Sequence, residues 1–210
     1  MPRELRLRWL ASQFARPSGW LGRWLIAPWL DRISAQMRRL ALQRLELRDG
    51  DDVLEIGFGG GALLAKVLKA TRGQVIGVDL SAVAVARARR QLGSRALLFE
   101  GSAERLPLPD SSVDKAVSLN SLYFWSDCEA AFAELVRVLR PGGRLVLGFE
   151  PPEELAKWSG SRFGFRAFEL LEVQAVLRTA GFVGIEAVEG RGRRPDRFLI
   201  LSADRPHANG

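Results

Sequence analysis

The chain has almost none of the side chains from which covalent staples and metal centres are built. Its 210 residues include one cysteine, Cys128, and one histidine, His207. A lone cysteine excludes an intrachain disulfide framework, and a single histidine in a polar tail leaves no Cys/His cluster, so no metal site is expected. Long apolar runs are scarce too. The longest early one, "WLIAPWL" at 24–30, is too short to cross a bilayer, and Arg3, Arg6 and Arg8 break the pattern of a secretory leader. These absences predict a soluble, cytoplasmic protein.

Acidic residues are scarce in one region only. The formal net charge is +7, and residues 1–48 hold ten arginines against Glu4, Asp31 and Glu46, so the whole excess belongs to that segment. Trp9, Trp20, Trp24 and Trp29 lie there as well. A hydrophobic content of 47% supports one substantial core, and 210 residues are few for two independent domains. The expected organisation is a helical lid or cap over 1–48, one cofactor-binding domain over 49–203, and a frayed tail at 204–210. Nothing in the sequence sets an oligomeric state.

From residue 51 short apolar runs alternate with helical patterns, as in a parallel sheet covered by helices. "DVLEIG", "QVIGVD", "ALLFEG", "VDKAVSL" and "GRLVLGFE" read as strands; "GALLAKVLKA", "SAVAVARARRQL" and "CEAAFAELVRVLR" read as helices. Ser126, three residues before Glu129, predicts a capping box for the last of these. Leu170, Val173, Leu177 and Ala180 predict a further helix ended by Gly181. "FVGIEAVEG" and "DRFLILSA" then follow with no helix between them, which requires an antiparallel hairpin. Ahead of the first strand, Ile33, Met37, Leu40 and Leu47 predict a helix within 31–48, and "FARPSGWLGRW" at 14–24 predicts a turn between two short helices.

The stretch "GFGGGA" at 57–62 sits where the first strand hands over to a helix. Glycine there permits positive φ and lets a ligand approach the backbone, beside the N–H groups of a helix start. Gly57, Gly59 and Gly61 therefore read as a binding loop. Asp79 ends the second strand, where a carboxylate can accept hydrogen bonds from ribose hydroxyls. An adenosine-containing cofactor follows. The glycine pattern alone leaves a dinucleotide and a cationic adenosyl cofactor open; Glu55, two residues before the first glycine, favours a cationic ligand because it would repel a diphosphate.

Four ordered segments, "LEIGFGGG", "VIGVDLS", "FEGSAERLPLPDSSVD" and "LVRVLRPGGRLVL", resemble the motifs of the class I S-adenosylmethionine-dependent methyltransferases over about residues 51–203. The resemblance implies an α/β, Rossmann-like doubly wound sheet of seven strands in the order 3-2-1-4-5-7-6, with strand 7 antiparallel. It also implies S-adenosyl-L-methionine as cofactor and S-adenosyl-L-homocysteine as product. By the same resemblance Glu55 and the glycines lie near the methionine part, Asp79 on the ribose, Leu80 on the adenine face, Ser102 and Ala103 at the adenine edge, and Asn120 near the methionine group. Many members carry aspartate where this chain has Ser102; a serine still hydrogen-bonds an adenine amine.

Methyl transfer from a sulfonium mainly needs alignment and exclusion of water. Where the acceptor must lose a proton, Tyr123 after strand four and Glu150 after strand five are the candidate catalytic groups, because ligands bind at the carboxyl ends of parallel strands. Tyr123, Phe124, Trp125, the 151–165 connection and the N-terminal lid predict a pocket for a small apolar or aromatic acceptor. Arginine interleaved with tryptophan also suits a membrane-surface, lipid-directed enzyme. Nucleic acid ranks lower: no "[DNS]PP[YFW]" follows strand four, and "EPP" at 150–152 lies after strand five. A non-catalytic cofactor-binding module is the remaining reading.

Overall fold

Strands that bury both faces need a helical layer on each side. The computed structural model describes residues 34–192 and 195–207. In chain order they form α1 (Ala35–Leu45), β1 (Val53–Ile56), α2 (Ala62–Val67), β2 (Val75–Asp79), α3 (Ala82–Leu92), β3 (Leu97–Glu100), β4 (Val113–Leu119), α4 (Cys128–Val138), β5 (Leu139–Phe149), α5 (Pro152–Leu155), α6 (Leu170–Thr179), β6 (Val183–Arg191) and β7 (Arg197–Asp204). The seven strands form one sheet in the order β3-β2-β1-β4-β5-β7-β6. Pairing is parallel from β3 to β5, and β7 runs antiparallel to both β5 and β6. The expected topology is the observed one.

Side-chain alternation assigns the two faces. Leu54 and Ile56 of β1 join a core beneath α4 and α6, built around Phe132, Leu135 and Leu177. Val53 points the other way, into a core shared with Met37, Ala41 and Leu45 of α1, Leu64 of α2 and Val85 of α3. Helix α1 is thus a layer over the sheet. Its buried residues are Met37, Arg38, Ala41 and Leu45; of the expected stripe, Met37 is in the core, Leu40 and Leu47 pack against it partly buried, and Ile33 lies outside the described residues. Arg44 lies at the stripe's edge, where it pairs with Glu186 of β6 at 3.2 Å. The turn expected at 14–24 lies outside the described residues.

Two boundaries differ from expectation for local reasons. The α4 N-cap is Asp127, whose carboxylate accepts from the Ala130 N–H at 3.0 Å. Ser126, the expected cap, instead donates its N–H and its hydroxyl to Glu104 Oε1, at 2.7 and 2.9 Å. The helix ends at Val138, two residues early, because Leu139 already pairs with Val113 of β4. The "RPGG" residues then bulge out before Arg144 resumes the pairing opposite Lys115.

Charged side chains tie the amino end of the sheet together. Arg140 donates from Nη1 to Asp114 Oδ2 at 2.5 Å and from Nη2 to Asp52 Oδ2 at 2.8 Å. Asp52 N–H also donates to Asp114 Oδ2 at 2.9 Å, so β1, β4 and β5 start from one cluster. Farther along, Arg144 of β5 donates to Asp204 of β7 at 2.8 Å.

Candidate active site

The carboxyl end of the sheet is built around left-handed backbone. Gly57, Gly59 and Gly61 have φ of 70°, 49° and 76°. At Gly57 a Cβ would stand 2.4 Å from the Ser121 Cβ, so the loop after β1 lies directly against the loop after β4. At Gly59 a Cβ would meet nothing within 4 Å, so this backbone faces open space that a bound molecule can fill. Glycine is required at the first position by contact and at the second by conformation.

Asp79 gives the loop its shape. Oδ2 accepts from the Gly59 N–H and Oδ1 from the Ser81 N–H, both at 2.8 Å. Burial pushes its carboxyl above the usual range, and the two N–H groups oppose that shift. Leu80, the next residue, is 37% exposed, an apolar side chain open at the end of β2. Ser102 and Ala103 follow β3 beside it, since the Gly101 N–H donates to Asp79 O at 3.1 Å; Ala103 is buried and Ser102 half-buried. Glu55 is buried within β1, in register with Gly77 and Val117.

Asn120 directly follows β4 with φ of 56°, held there by its N–H donating to Gly148 O at 2.8 Å. Its Nδ2 donates to Ser34 Oγ at 3.4 Å, and its Oδ1 accepts from the Tyr123 hydroxyl at 3.4 Å. Tyr123 in turn accepts from the Glu150 N–H at 2.5 Å. Burial, followed by the Glu150 charge, raises the Tyr123 phenol well above its ordinary value. The phenol is thus a weaker acid than an exposed tyrosine. The Glu150 carboxyl is pushed up to about 7, first by burial and then by the neighbouring Glu154 carboxylate. Of the two candidates, Glu150 alone titrates near neutrality.

A cavity of about 530 Å³ opens between these loops, lined by Leu80, Tyr123, Phe124, Trp125, Gly164, Phe165 and Arg166. Its volume lies in the range of small-molecule sites. Phe165 stands edge-on to Phe124 at 4.7 Å and tilted against Tyr123 at 5.6 Å. Trp125 packs on Phe132 of α4 at 5.5 Å and still reaches the cavity, so it serves core and wall together. Trp20 and Trp24 lie outside the described residues. Arg166, Ser121 and Ser34 carry no sequence signal. They meet the site only because the fold returns the chain there.

The open backbone at Gly59, the exposed Leu80 beside the cavity and the carboxylate at the end of β2 fit an adenosyl cofactor carrying a positive charge. Fold and site define a class I S-adenosylmethionine-binding domain. The comparisons agree. Residues 54–147 match the family described as "Methyltransferase domain". The chain is 27% identical over 172 residues to the uncharacterized methyltransferase YdaC of Bacillus subtilis, covering 81% of this chain and 92% of that protein. It is 39% identical over 117 residues to the demethylmenaquinone methyltransferase of Thermus thermophilus, covering 54% of this chain and about half (52%) of that protein. The putative methyltransferase solved with the Haloferax volcanii Trm112 activator superposes with a TM-score of 0.77 at 22% identity, over 84% of this chain and 92% of the other. Residues 54–147 are thus those of a methyltransferase domain, set in the seven-stranded fold of the class I S-adenosylmethionine-dependent methyltransferases.

Proposed function

We propose that the enzyme methylates a small aromatic acceptor whose acidic proton is taken by the Glu150 carboxylate. The observation that carries the reading is the aromatic cavity, which runs from Leu80 to Tyr123 and Phe165 with Glu150 bonded directly behind Tyr123. Flat apolar walls select flat apolar ligands, and edge-to-face contacts with Phe124 and Phe165 would orient a ring. The names of two relatives, a demethylmenaquinone methyltransferase and a 27-O-demethylrifamycin SV methyltransferase, support an acceptor with an aromatic or quinone nucleus.

S-Adenosylmethionine supplies an electrophilic methyl on a sulfonium, which leaves as a neutral thioether. The chain's own residues do the rest. Gly57, Gly59 and Gly61 offer backbone to the methionine part, with Glu55 and Asn120 beside it. Asp79 orders that loop and presents carboxylate to the ribose; Leu80, Ser102 and Ala103 border the adenine. The aromatic wall excludes water, and Glu150, poised near neutrality, receives the proton that the acceptor loses.

Labelled methyl transfer to a panel of phenols, quinols, aliphatic amines and vesicles tests this. Phenols or quinols are expected to be labelled, with a rate that rises through about pH 7 and is lost in Glu150→Gln. Label appearing only in amines would overturn the aromatic reading. The Arg- and Trp-rich residues 1–48 support a second reading, a lipid-directed enzyme at a membrane surface. Label confined to lipid, with sedimentation strengthened by anionic vesicles, would select it.

A further inference from the structure

We propose that Tyr123 is a positioning residue: its hydroxyl holds the main chain at Glu150 against the cavity wall and locks that position to Asn120 and α1. The proposal rests on the reading of Glu150 as proton acceptor.

Three hydrogen bonds carry it. The Glu150 N–H donates to Tyr123 Oη at 2.5 Å, Tyr123 Oη donates to Asn120 Oδ1 at 3.4 Å, and Asn120 Nδ2 donates to Ser34 Oγ at 3.4 Å. Both capacities of the phenol are in use, one as acceptor and one as donor. The chain of bonds joins the carboxyl end of β5, the carboxyl end of β4 and the residue that opens α1. Tyr123 also fixes the opposite wall, because its carbonyl accepts from the Arg166 N–H at 3.2 Å.

The hydroxyl is not needed for packing. The ring contacts with Phe124 and Phe165 would be made equally by phenylalanine. What phenylalanine cannot do is accept the Glu150 N–H in a site where Tyr123 is only 3% exposed. The titratable groups that interact with the Glu150 carboxyl are Tyr123 from the turn after β4 and Glu154 from α5. Glu154 is itself tied to Lys157 at 2.6 Å and to the Asp196 N–H at 2.9 Å. With Glu154 held in place and the β5 pairing ending at Phe149, the bond to Tyr123 is what fastens the main chain at Glu150 itself.

The test reads the Glu150 carboxyl directly, so it needs no acceptor. Glutamate side chains are labelled with carbon-13 at the carboxyl, and the Glu150 signal is assigned by its loss in Glu150→Gln. In the wild type it is expected to titrate at about 7. In Tyr123→Phe the freed residue turns toward water, and the midpoint is expected to fall by at least about one pH unit. A purely structural role would lower thermal stability and leave the midpoint where it was, which would overturn the proposal. A wild-type midpoint already near 4.5 would overturn it as well. Titration with S-adenosylhomocysteine reports whether the variant is folded. If Tyr123→Phe does not fold, Asn120→Gly takes its place, since glycine keeps the left-handed backbone and removes the amide that accepts the phenol proton and donates to Ser34. A downward shift there supports the proposal and an unchanged midpoint overturns it. A shifted midpoint together with no methyl transfer to phenols or quinols counts against the proposed function alone.

Discussion

At the amino end of the sheet, Asp52 and Asp114 share the Arg140 guanidinium, whereas at the carboxyl end Asp79 is met by two backbone N–H groups and Glu150 by another carboxylate. The same residue type has opposite consequences in the two places. Paired carboxylates at the start of the strands stitch β1, β4 and β5 together across the bulge at "RPGG". At the far end the carboxyls of Asp79 and Glu150 are raised, and Gly57, Gly59, Gly61 and Asn120 hold left-handed backbone. Raised carboxyls beside open glycine backbone mark the end of the sheet where chemistry takes precedence over stability.

The sharpest way to break this division is Gly57→Ala, which damages both fold and site. The added Cβ collides with Ser121 and keeps an unfavourable φ, so stability is expected to fall by about 3 kcal/mol in urea unfolding, with cofactor binding lost as well. Next comes Glu150→Gln, which separates the two ends. The folded carboxyl titrates at about 7 against 4.5 in the unfolded chain, so its penalty is absent below 4.5, grows as pH rises and is complete above 7. The variant is therefore expected to be more stable than the wild type by up to roughly 3 kcal/mol at pH 8, equal to it at pH 4, and inactive toward a proton-bearing acceptor. Thermal melts at the two pH values check it.

Arg140→Met should do the reverse. It leaves Asp52 and Asp114 facing each other without their cation, and because the cluster is partly exposed the expected cost is about 2 kcal/mol, with S-adenosylhomocysteine affinity unchanged by titration calorimetry. The smallest effect on stability belongs to Gly59→Ala, about 1 kcal/mol, since its Cβ would enter open space with only the φ to oppose it. Its affinity for S-adenosylhomocysteine should nevertheless drop about tenfold. Wild-type affinity would show that the backbone at Gly59 is not where the cofactor rests.

Most of the fold was legible in short windows. Val53, Leu54 and Ile56 before a glycine corner, Val75 to Asp79 before a capped helix, and two adjacent strands forced into a hairpin are local patterns, and local sterics and periodicity suffice to read them. The α4 boundary was misread because its end depends on a partner: Leu139 leaves the helix to pair with Val113, and Ser126 gives up the cap to reach Glu104. Part of the site was legible in the same way, since the glycine loop and Asp79 lie at corners whose chemistry is local.

The amino-acid sequence by itself determined the strand and helix pattern, the glycine corner and the acidic residue that closes the second strand, because each follows from residues a few positions apart. Only the tertiary structure decided which side chains meet across it. Ser121 presses on Gly57, Ser34 reaches Asn120 from 86 residues away, and the Tyr123 phenol accepts the Glu150 N–H, while burial raises the phenol and, with Glu154, pushes the Glu150 carboxyl up to about 7. These outcomes depend on burial and on strand order, which bring together groups that no local pattern relates.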